Sequence, residues 1–285
     1  MQELSFGKKI EDHKLTCLGI IVEQRYLNDY YPLCLVKACA KQGIKTQVII
    51  AETIDGFMQN NRIYADIYIH RNHTKAGLLY LAQISHHAIT VNPVESVLRC
   101  QNKILMYHRL LNNQSLNIPR TFFNVHDLID DNVNWPIIAK PINGNNSEGI
   151  FIFNNYHEIS NNLDFPPNYI MQEYITNENY DIKLYYIDGK VYAVRKPSKL
   201  HPDKDVLVQV IDVKDEFYEI VCECQKLFQL NLFGVDLIQG IDGQYYVIEV
   251  NECCGFSAVP AIEANVLACV KHIFSSLTRG NNAII

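Results

Sequence analysis

Apolar positions first fall into short runs separated by polar turns, and only later into helical periods. Runs over 15–22, 46–51 and 66–70 read as strands, 33–40 (ending near Gly43) and 78–84 as helices, and 88–91 as a further strand. This strand–helix alternation predicts a parallel sheet with helices on its faces across residues 15–95. Pro93 opens a new section. A helix over 95–111 leads through Ile118-Pro119-Arg120-Thr121 to strands over 136–140 and 150–153 around a loop, and then to a strand over 169–175. Asp188-Gly189 is the strongest short hairpin signal in the chain and joins strands within 181–196. Phe217, Val221, Cys224 and Phe228 recur at helical spacing, as do Ile262, Val266, Cys269, Ile273 and Leu277, which predicts two late helices with core-facing stripes. The chain shows no internal repeat.

Composition narrows the class. A chain of 285 residues with 48% hydrophobic and 20% charged residues is an ordinary globular protein, long enough for two or three packed units. The formal charge is −6 and no Lys/Arg cluster exceeds two residues, which argues against nucleic acid as a partner and against an anionic membrane surface. No apolar run approaches the ~18 residues of a membrane span, and the first residues lack the apolar segment of a signal peptide, so a cytoplasmic location is expected. The nine cysteines are odd in number and scattered. Cys222/Cys224 and Cys253/Cys254 have no second half to build a zinc site, and all nine read as reduced thiols, most of them small core residues. The histidines form no H-x-x-x-H pair, and His70 and His73 have no evident third ligand.

The most informative segment runs from Gly234 to Asn251 and reads as a hairpin with Ile241-Asp242 at its turn. Asp236 then lies opposite Val247, and the period-two alternation of strand side chains puts Asp236, Glu249 and Asn251 on one face. Three hard oxygen donors brought together repel unless a cation sits among them. Two carboxylates and an amide suit Mg²⁺ held jointly with phosphates. A solvated hairpin face is the alternative.

Three further stretches carry candidate chemistry. Lys140-Pro-Ile-Asn-Gly144-Asn-Asn-Ser147-Glu-Gly149 joins two strands by a loop whose backbone N–H groups can turn toward phosphate oxygens. Ile150-Phe151 follow Gly149 where a P-loop needs Lys-Ser/Thr, which excludes a Walker A motif. Lys140 ends an apolar strand, and it either meets an anion or extends its amine to solvent. Gln172-Glu173-Tyr174-Ile175 ends a strand whose backbone could meet the edge of a purine or could be a plain sheet edge. In the hairpin about Asp188-Gly189, Asp181 opposes Lys196 and Lys183 opposes Val194. One face then carries Asp181, Lys183, Lys196, Tyr185 and Tyr192, and the other carries the core residues Ile182, Leu184, Val191 and Ala193 together with Arg195. Ser147 lacks the His and acid partners of a nucleophile.

Taken in order, Cys100-Gln-Asn-Lys103, Ile118-Pro-Arg-Thr121, Ile137-Ile-Ala-Lys140-Pro with its loop, Gln172-Glu-Tyr-Ile175, Asp181-Ile-Lys183, Gly234-Val-Asp236 and Glu249-Val-Asn251 with Gly255-Phe256 resemble the ATP-grasp superfamily, most closely the RimK-like carboxylate–amine ligases. The likeness covers roughly residues 92–275. It implies a mixed α/β and α+β architecture: an N-terminal Rossmann-like pre-ATP-grasp domain over 1–92, then an ATP-grasp fold with a central subdomain over 93–175 and a C-terminal subdomain over 176–285. It also implies roles. Lys103 and Lys140 would contact ATP phosphates under a loop that includes Gly144, Ser147 and Gly149. Gln172, Glu173, Tyr174 and Ile175 would hold adenine. Asp181, Lys183 and Lys196 would border the ribose, the γ-phosphate and the substrate, the two lysines being the catalytic pair. Asp236, Glu249 and Asn251 would hold Mg²⁺, with Mn²⁺ as a substitute. Arg71 would be a substrate contact from the first domain. The implied partners are a small-molecule or peptide carboxylate and an amine, with a homo-oligomer compatible.

Departures from the RimK-like pattern leave ATP and metal binding compatible with the sequence and bear on the acceptor substrate. Ser147 replaces a glycine, Glu252-Cys253-Cys254 replaces a small-Ser-Pro sequence, and Ser198–Val206 lacks the Arg-Gly-Gly and Asn of the ligase substrate loop. Gly144-Asn-Asn-Ser147 and Val194-Arg-Lys-Pro-Ser198 also resemble the inositol polyphosphate 5/6-kinases, in which reading Lys183, Lys196 and His201 would bind substrate phosphates. A non-catalytic ATP-binding regulator is the third class.

Overall fold

The computed structural model describes residues 14–54, 65–129, 132–144, 148–162, 168–200, 205–252, 254–256 and 258–280. Three sheets follow one another along the chain. The first is β1 (Cys17–Val22), β2 (Lys45–Ile50), β3 (Ile67–Arg71) and β4 (Ile89–Thr90), all parallel in the order β2-β1-β3-β4. Parallel strands buried on both faces read as continuous apolar runs, as Leu18–Val22 does. On one face Leu18, Ile20, Ile67 and Ile69 pack with α1 (Tyr30–Lys41). On the other, Ile21 and Tyr68 pack with Tyr80 and Leu81 of α2 (Lys75–Ile84). Gly43, at φ +70, turns the chain out of α1. The Thr74 hydroxyl caps α2 by accepting from the Gly77 amide, which starts that helix three residues before the apolar period becomes visible.

The single helix expected over 95–111 is two, α3 (Val94–Gln101) and α4 (Lys103–Leu111). Asn102 takes an extended backbone, φ −100 and ψ 109, and its side chain caps α4 by accepting from the Leu105 amide. The break rotates Lys103 onto the same face of α4 as Met106, Tyr107 and Leu110, all buried. Both helices pack on the third sheet, through α6 (Asp215–Phe228) and, for α3, the last strand.

The second sheet is antiparallel, in the order β5-β8-β6-β7, from β5 (Thr121–Phe122), β6 (Ile137–Pro141), β7 (Phe151–Phe153) and β8 (Tyr169–Glu173). With the short helix α5 (Tyr156–Ser160) it closes over Ile137, Ala139, Phe153 and Met171. Strand β8 stops at Glu173 rather than at Ile175. The third sheet is β9 (Tyr180–Ile187), β10 (Lys190–Pro197), β11 (Gln209–Ile211), β12 (Leu232–Gln239) and β13 (Tyr245–Asn251), in the order β11-β10-β9-β12-β13. Asp188 and Gly189 turn with φ +48 and +87, and Lys196 opposes Asp181 as the two-residue turn requires. Ile182, Leu184 and Ala193 face α6 with Phe217, Val221, Cys224 and Phe228. The opposite face is divided, a pattern the sequence did not anticipate. Its Asp181–Lys183 end opens into a cleft, at whose edge Tyr185 packs on Phe256, whereas Ile187 and Val194 join the buried cluster that includes α7 (Ile262–Gly280), which also packs on α1. Leu277 does not join that core; it is 49% exposed.

The eight described cysteines are free thiols, and Cys253 lies outside the described residues. Among the described residues no helix is long and apolar enough to cross a membrane.

Candidate active site

A cleft of about 360 Å³ lies between the second and third sheets, with the first sheet's C-terminal edge closing one end. Its floor is built by the β12–β13 hairpin. The observed turn is longer than the expected Ile241-Asp242 pair: Gln239 opposes Tyr245, and Gly240–Gln244 form the loop with Gly243 at φ +79. Leu237 therefore opposes Val247, a register one residue away from the expected one. A β-bulge between Asp236 and Leu237 then resets the ladder, so that Asp236 opposes Glu249 and Gly234 opposes Asn251. The expected pairing of Asp236 with Val247 is thus corrected, and the three oxygen donors share a face because of the bulge.

Like charges directly opposite one another destabilise an antiparallel pair. Here each carboxylate is answered by a lysine. Lys183 Nζ lies 2.6 Å from Asp236 Oδ2, and Lys103 Nζ lies 2.9 Å from Glu249 Oε1. Burial opposes the Lys183 charge, but the charge and hydrogen bond of Asp236 overcome it and raise the lysine's pKa. Asp236 Oδ1 is buried without a hydrogen-bond partner. A carboxylate oxygen left bare beside Glu249 and Asn251 is a position a hard cation satisfies. Among the described residues no group of three or more His, Cys, Asp or Glu could hold a metal, so the donor set here is two carboxylates and an amide.

Lys140 and Lys103 stand above this floor. Lys140 Nζ donates to Gln172 Oε1 at 2.7 Å, and burial pushes its pKa down to about 8, with the neighbouring Lys103 charge adding to the effect and Glu249 opposing it. Lys103 Nζ also donates to the Gly144 carbonyl at 2.6 Å, tying the helix to the start of the glycine loop. Gly144 and Glu148 line the cleft and Gly149 takes φ +70, whereas Ser147 lies outside the described residues, as does His201.

Gln172 is fully buried. Its oxygen accepts from Lys140, and its amide donates to Thr121 Oγ1 at 2.8 Å, so the side chain fixes the lysine instead of presenting itself to a ligand. The Glu173 carboxylate points outward to the backbone and side chain of Asn134, at 3.0 and 3.1 Å. The Glu173 and Tyr174 amides donate to the Arg120 and Pro136 carbonyls. Tyr174 and Ile175 line the cleft with Ile138, Leu237 and Ile248, an apolar slot at its inner end.

At the other end Asp181, Lys183 and Lys196 converge. Burial and the Asp236 charge raise the Asp181 pKa, and burial together with Lys183 pushes Lys196 down to about 8. Lys199, which the sequence reading passed over because it follows the paired strand, joins them, its pKa lowered by burial and by Lys183. Arg71 lines the cleft, yet its guanidinium is occupied: it pairs with Asp29 at 2.8 Å, donates to the Tyr31 carbonyl and stacks on Tyr26. Gly255 approaches so closely that a Cβ there would lie 2.8 Å from Arg71 Nη2. Arg71 therefore braces the first unit against the 254–256 segment. His73, also on the cleft wall, shares the buried Glu23 carboxylate with Arg25.

This architecture recurs in solved structures. D-cycloserine synthetase DcsG superposes with a TM-score of 0.72 at 16% identity over 92% of this chain and 99% of that one. The D-alanine–D-alanine ligase of Bacillus anthracis, solved with ATP, gives 0.68 at 16% identity over 93% and 99%. The ATP-grasp ligase PsnB, solved with a minimal precursor, Mg and ADP, gives 0.63 at 16% identity over 89% and 97%. The fold is therefore that of the ATP-grasp proteins. Residues 98–269, more than half of the chain, match the RimK-like ATP-grasp domain, and the chain belongs to that family. The beta-citrylglutamate synthase B of Danio rerio is 22% identical over 59% of this chain and 45% of its own length, and a probable alpha-L-glutamate ligase of Vibrio atlanticus is 24% identical over 59% and 61%. The chain thus matches about half the length of these curated relatives.

Proposed function

We propose that this protein is an ATP-dependent ligase that joins a carboxylate to an amine through an acyl phosphate, releasing ADP and phosphate. The observation that carries the reading is the bare, buried Asp236 Oδ1 facing Glu249 and Asn251, in a cleft that also gathers Lys103, Lys140, Lys183 and Lys196. Adenine would occupy the slot formed by Ile138, Tyr174, Ile175, Leu237 and Ile248. With the Glu173 and Tyr174 amides already used, its edge would meet the Glu173 carbonyl and the Ile175 amide. Lys103, Lys140 and the 144–149 loop would hold the phosphates, and Asp181 would border the ribose. Asp236, Glu249 and Asn251 would hold Mg²⁺ or Mn²⁺, which when bound neutralises phosphate charge.

Lys183 and Lys196 lie where an anionic substrate approaches an anionic phosphate, and two lysines in a desolvated site lower that repulsion. A substrate carboxylate oxygen attacks the γ-phosphorus and ADP departs. The amine nitrogen then attacks the acyl carbon, sheds a proton, and phosphate leaves. In this reading the glycine-bearing loop after Lys140 would exclude water from the acyl phosphate. The N-terminal α/β unit, in this reading a pre-ATP-grasp domain, would supply substrate contacts near His73 and the Arg71-braced segment.

The test follows ADP and inorganic phosphate with Mg²⁺-ATP and pooled carboxylates and amines. A ligase releases both products only when both substrates are present. ADP without phosphate indicates a kinase. Neither product, with a melting temperature raised by ATP, indicates a regulator. Glu249→Gln should abolish turnover without unfolding the protein; full activity in that variant removes the metal assignment.

A further inference from the structure

We propose that Tyr107 is a positioning residue that fixes the metal-binding strand and the phosphate-binding lysine relative to one another. The inference rests on the reading of Asp236, Glu249 and Asn251 as the Mg²⁺-nucleotide site. Strand β13 is the outer strand of its sheet, so one edge of its backbone has no neighbouring strand. That edge is closed by side chains and loop backbone. The Val247 amide donates to the Asn117 carbonyl at 2.9 Å, the Val250 amide meets Met106 Sδ at 3.3 Å, and the Ile248 carbonyl accepts from the Tyr107 hydroxyl.

Ile248 is the extra residue of the bulge, lying between the Leu237–Val247 and Asp236–Glu249 pairs. The bulge decides the site. If the Leu237–Val247 register simply continued, Ile248 would oppose Asp236, and Glu249 and Asn251 would point to the opposite face of the sheet. The Tyr107 hydroxyl supplies a partner to the one residue the ladder leaves out.

The same hydroxyl lies 3.1 Å from Gln172 Oε1, the atom that accepts from Lys140 Nζ. Tyr107 and Gln172 are fully buried, so water does not compete for the hydroxyl proton that these two oxygens share. One helix face, Lys103, Met106 and Tyr107, thus touches the Glu249 carboxylate, the β13 edge and the bulge.

Tyr107→Phe keeps the ring and removes only the hydroxyl. ADP binding to the full chain is measured by calorimetry across a Mg²⁺ series, for wild type, Tyr107→Phe and Tyr68→Phe, the last being a tyrosine equally buried in the first sheet. The Mg²⁺ concentration giving half-maximal ADP binding should rise about tenfold or more in Tyr107→Phe, the usual effect of losing a partner behind a metal ligand, and should stay put in Tyr68→Phe. An unchanged Mg²⁺ midpoint in folded Tyr107→Phe, or an equal shift in Tyr68→Phe, overturns the proposal. Wild type that binds no ADP at any Mg²⁺ concentration overturns the nucleotide-site reading itself. If Tyr107→Phe does not fold, Gln172→Met reads the other link: ADP affinity without metal should fall, and no change there overturns the coupling.

Discussion

Lys140 is costly to the protein that carries it. It is 7% exposed, and burial pushes its pKa from 10.5 to about 8. At about 1.4 kcal/mol per pH unit, keeping that ammonium charged at neutral pH costs the folded state about 3.5 kcal/mol. Replacing it with methionine removes this cost and also removes the charged hydrogen bond to Gln172 Oε1, worth about 2 kcal/mol. Lys140→Met should therefore stabilise the nucleotide-free protein by about 1.5 kcal/mol, or roughly 4 °C in a chain of this size. The sign with pH is fixed. A depressed lysine pKa means that the folded state binds fewer protons than the unfolded state between pH 8 and 10.5, so wild-type stability gains from this group as pH rises through that window. The gap between variant and wild type should then narrow as pH rises from 7 to 9.5. The assay is thermal denaturation of both proteins across that range, paired with ADP titration, where the variant should lose at least tenfold in affinity because a charge-assisted bond to phosphate is gone. A variant that melts at or below wild type at pH 7, or a gap that does not move with pH, would refute the reasoning.

Two further outcomes follow from the packing. His70 is buried and its pKa is pushed down to about 4, so the unfolded state takes up a proton first; stability should fall as pH drops from 6.5 to 4 by about 3 kcal/mol, and His70→Leu should flatten that limb of a pH–denaturation profile. A methyl group on Gly234 would stand 2.6 Å from Cys254 Sγ, so Gly234→Ala should cost about 1–3 kcal/mol, and Cys254→Ala in the same chain should recover most of it. Additive losses in urea denaturation of the double variant would show that the clash lies elsewhere.

The local periods alone determined the strand and helix inventory of the first unit, the turn at Asp188-Gly189 with its Asp181–Lys196 pairing, and the stripes of α6 and, Leu277 apart, of α7. These depend on neighbours a few residues apart, which a sequence displays directly. It also displayed most of the lysines and carboxylates that line the cleft, though not Lys199, because such residues at the ends of apolar runs stand out against their surroundings. The break at Asn102 was legible in principle, since asparagine favours caps, but the unbroken apolar period around it concealed the change of direction. Other features came from contacts far apart in the chain. The bulge at Ile248 depends on Tyr107, more than a hundred positions earlier. The inward turn of Gln172 depends on Lys140 and Thr121, the occupation of Arg71 on Asp29 and Tyr31, and the burial of Tyr185 on Phe256. Each is a backbone or polar group that finds its partner only once separate sheets have packed, so only the tertiary structure decided which residues face a ligand and which hold those residues in place.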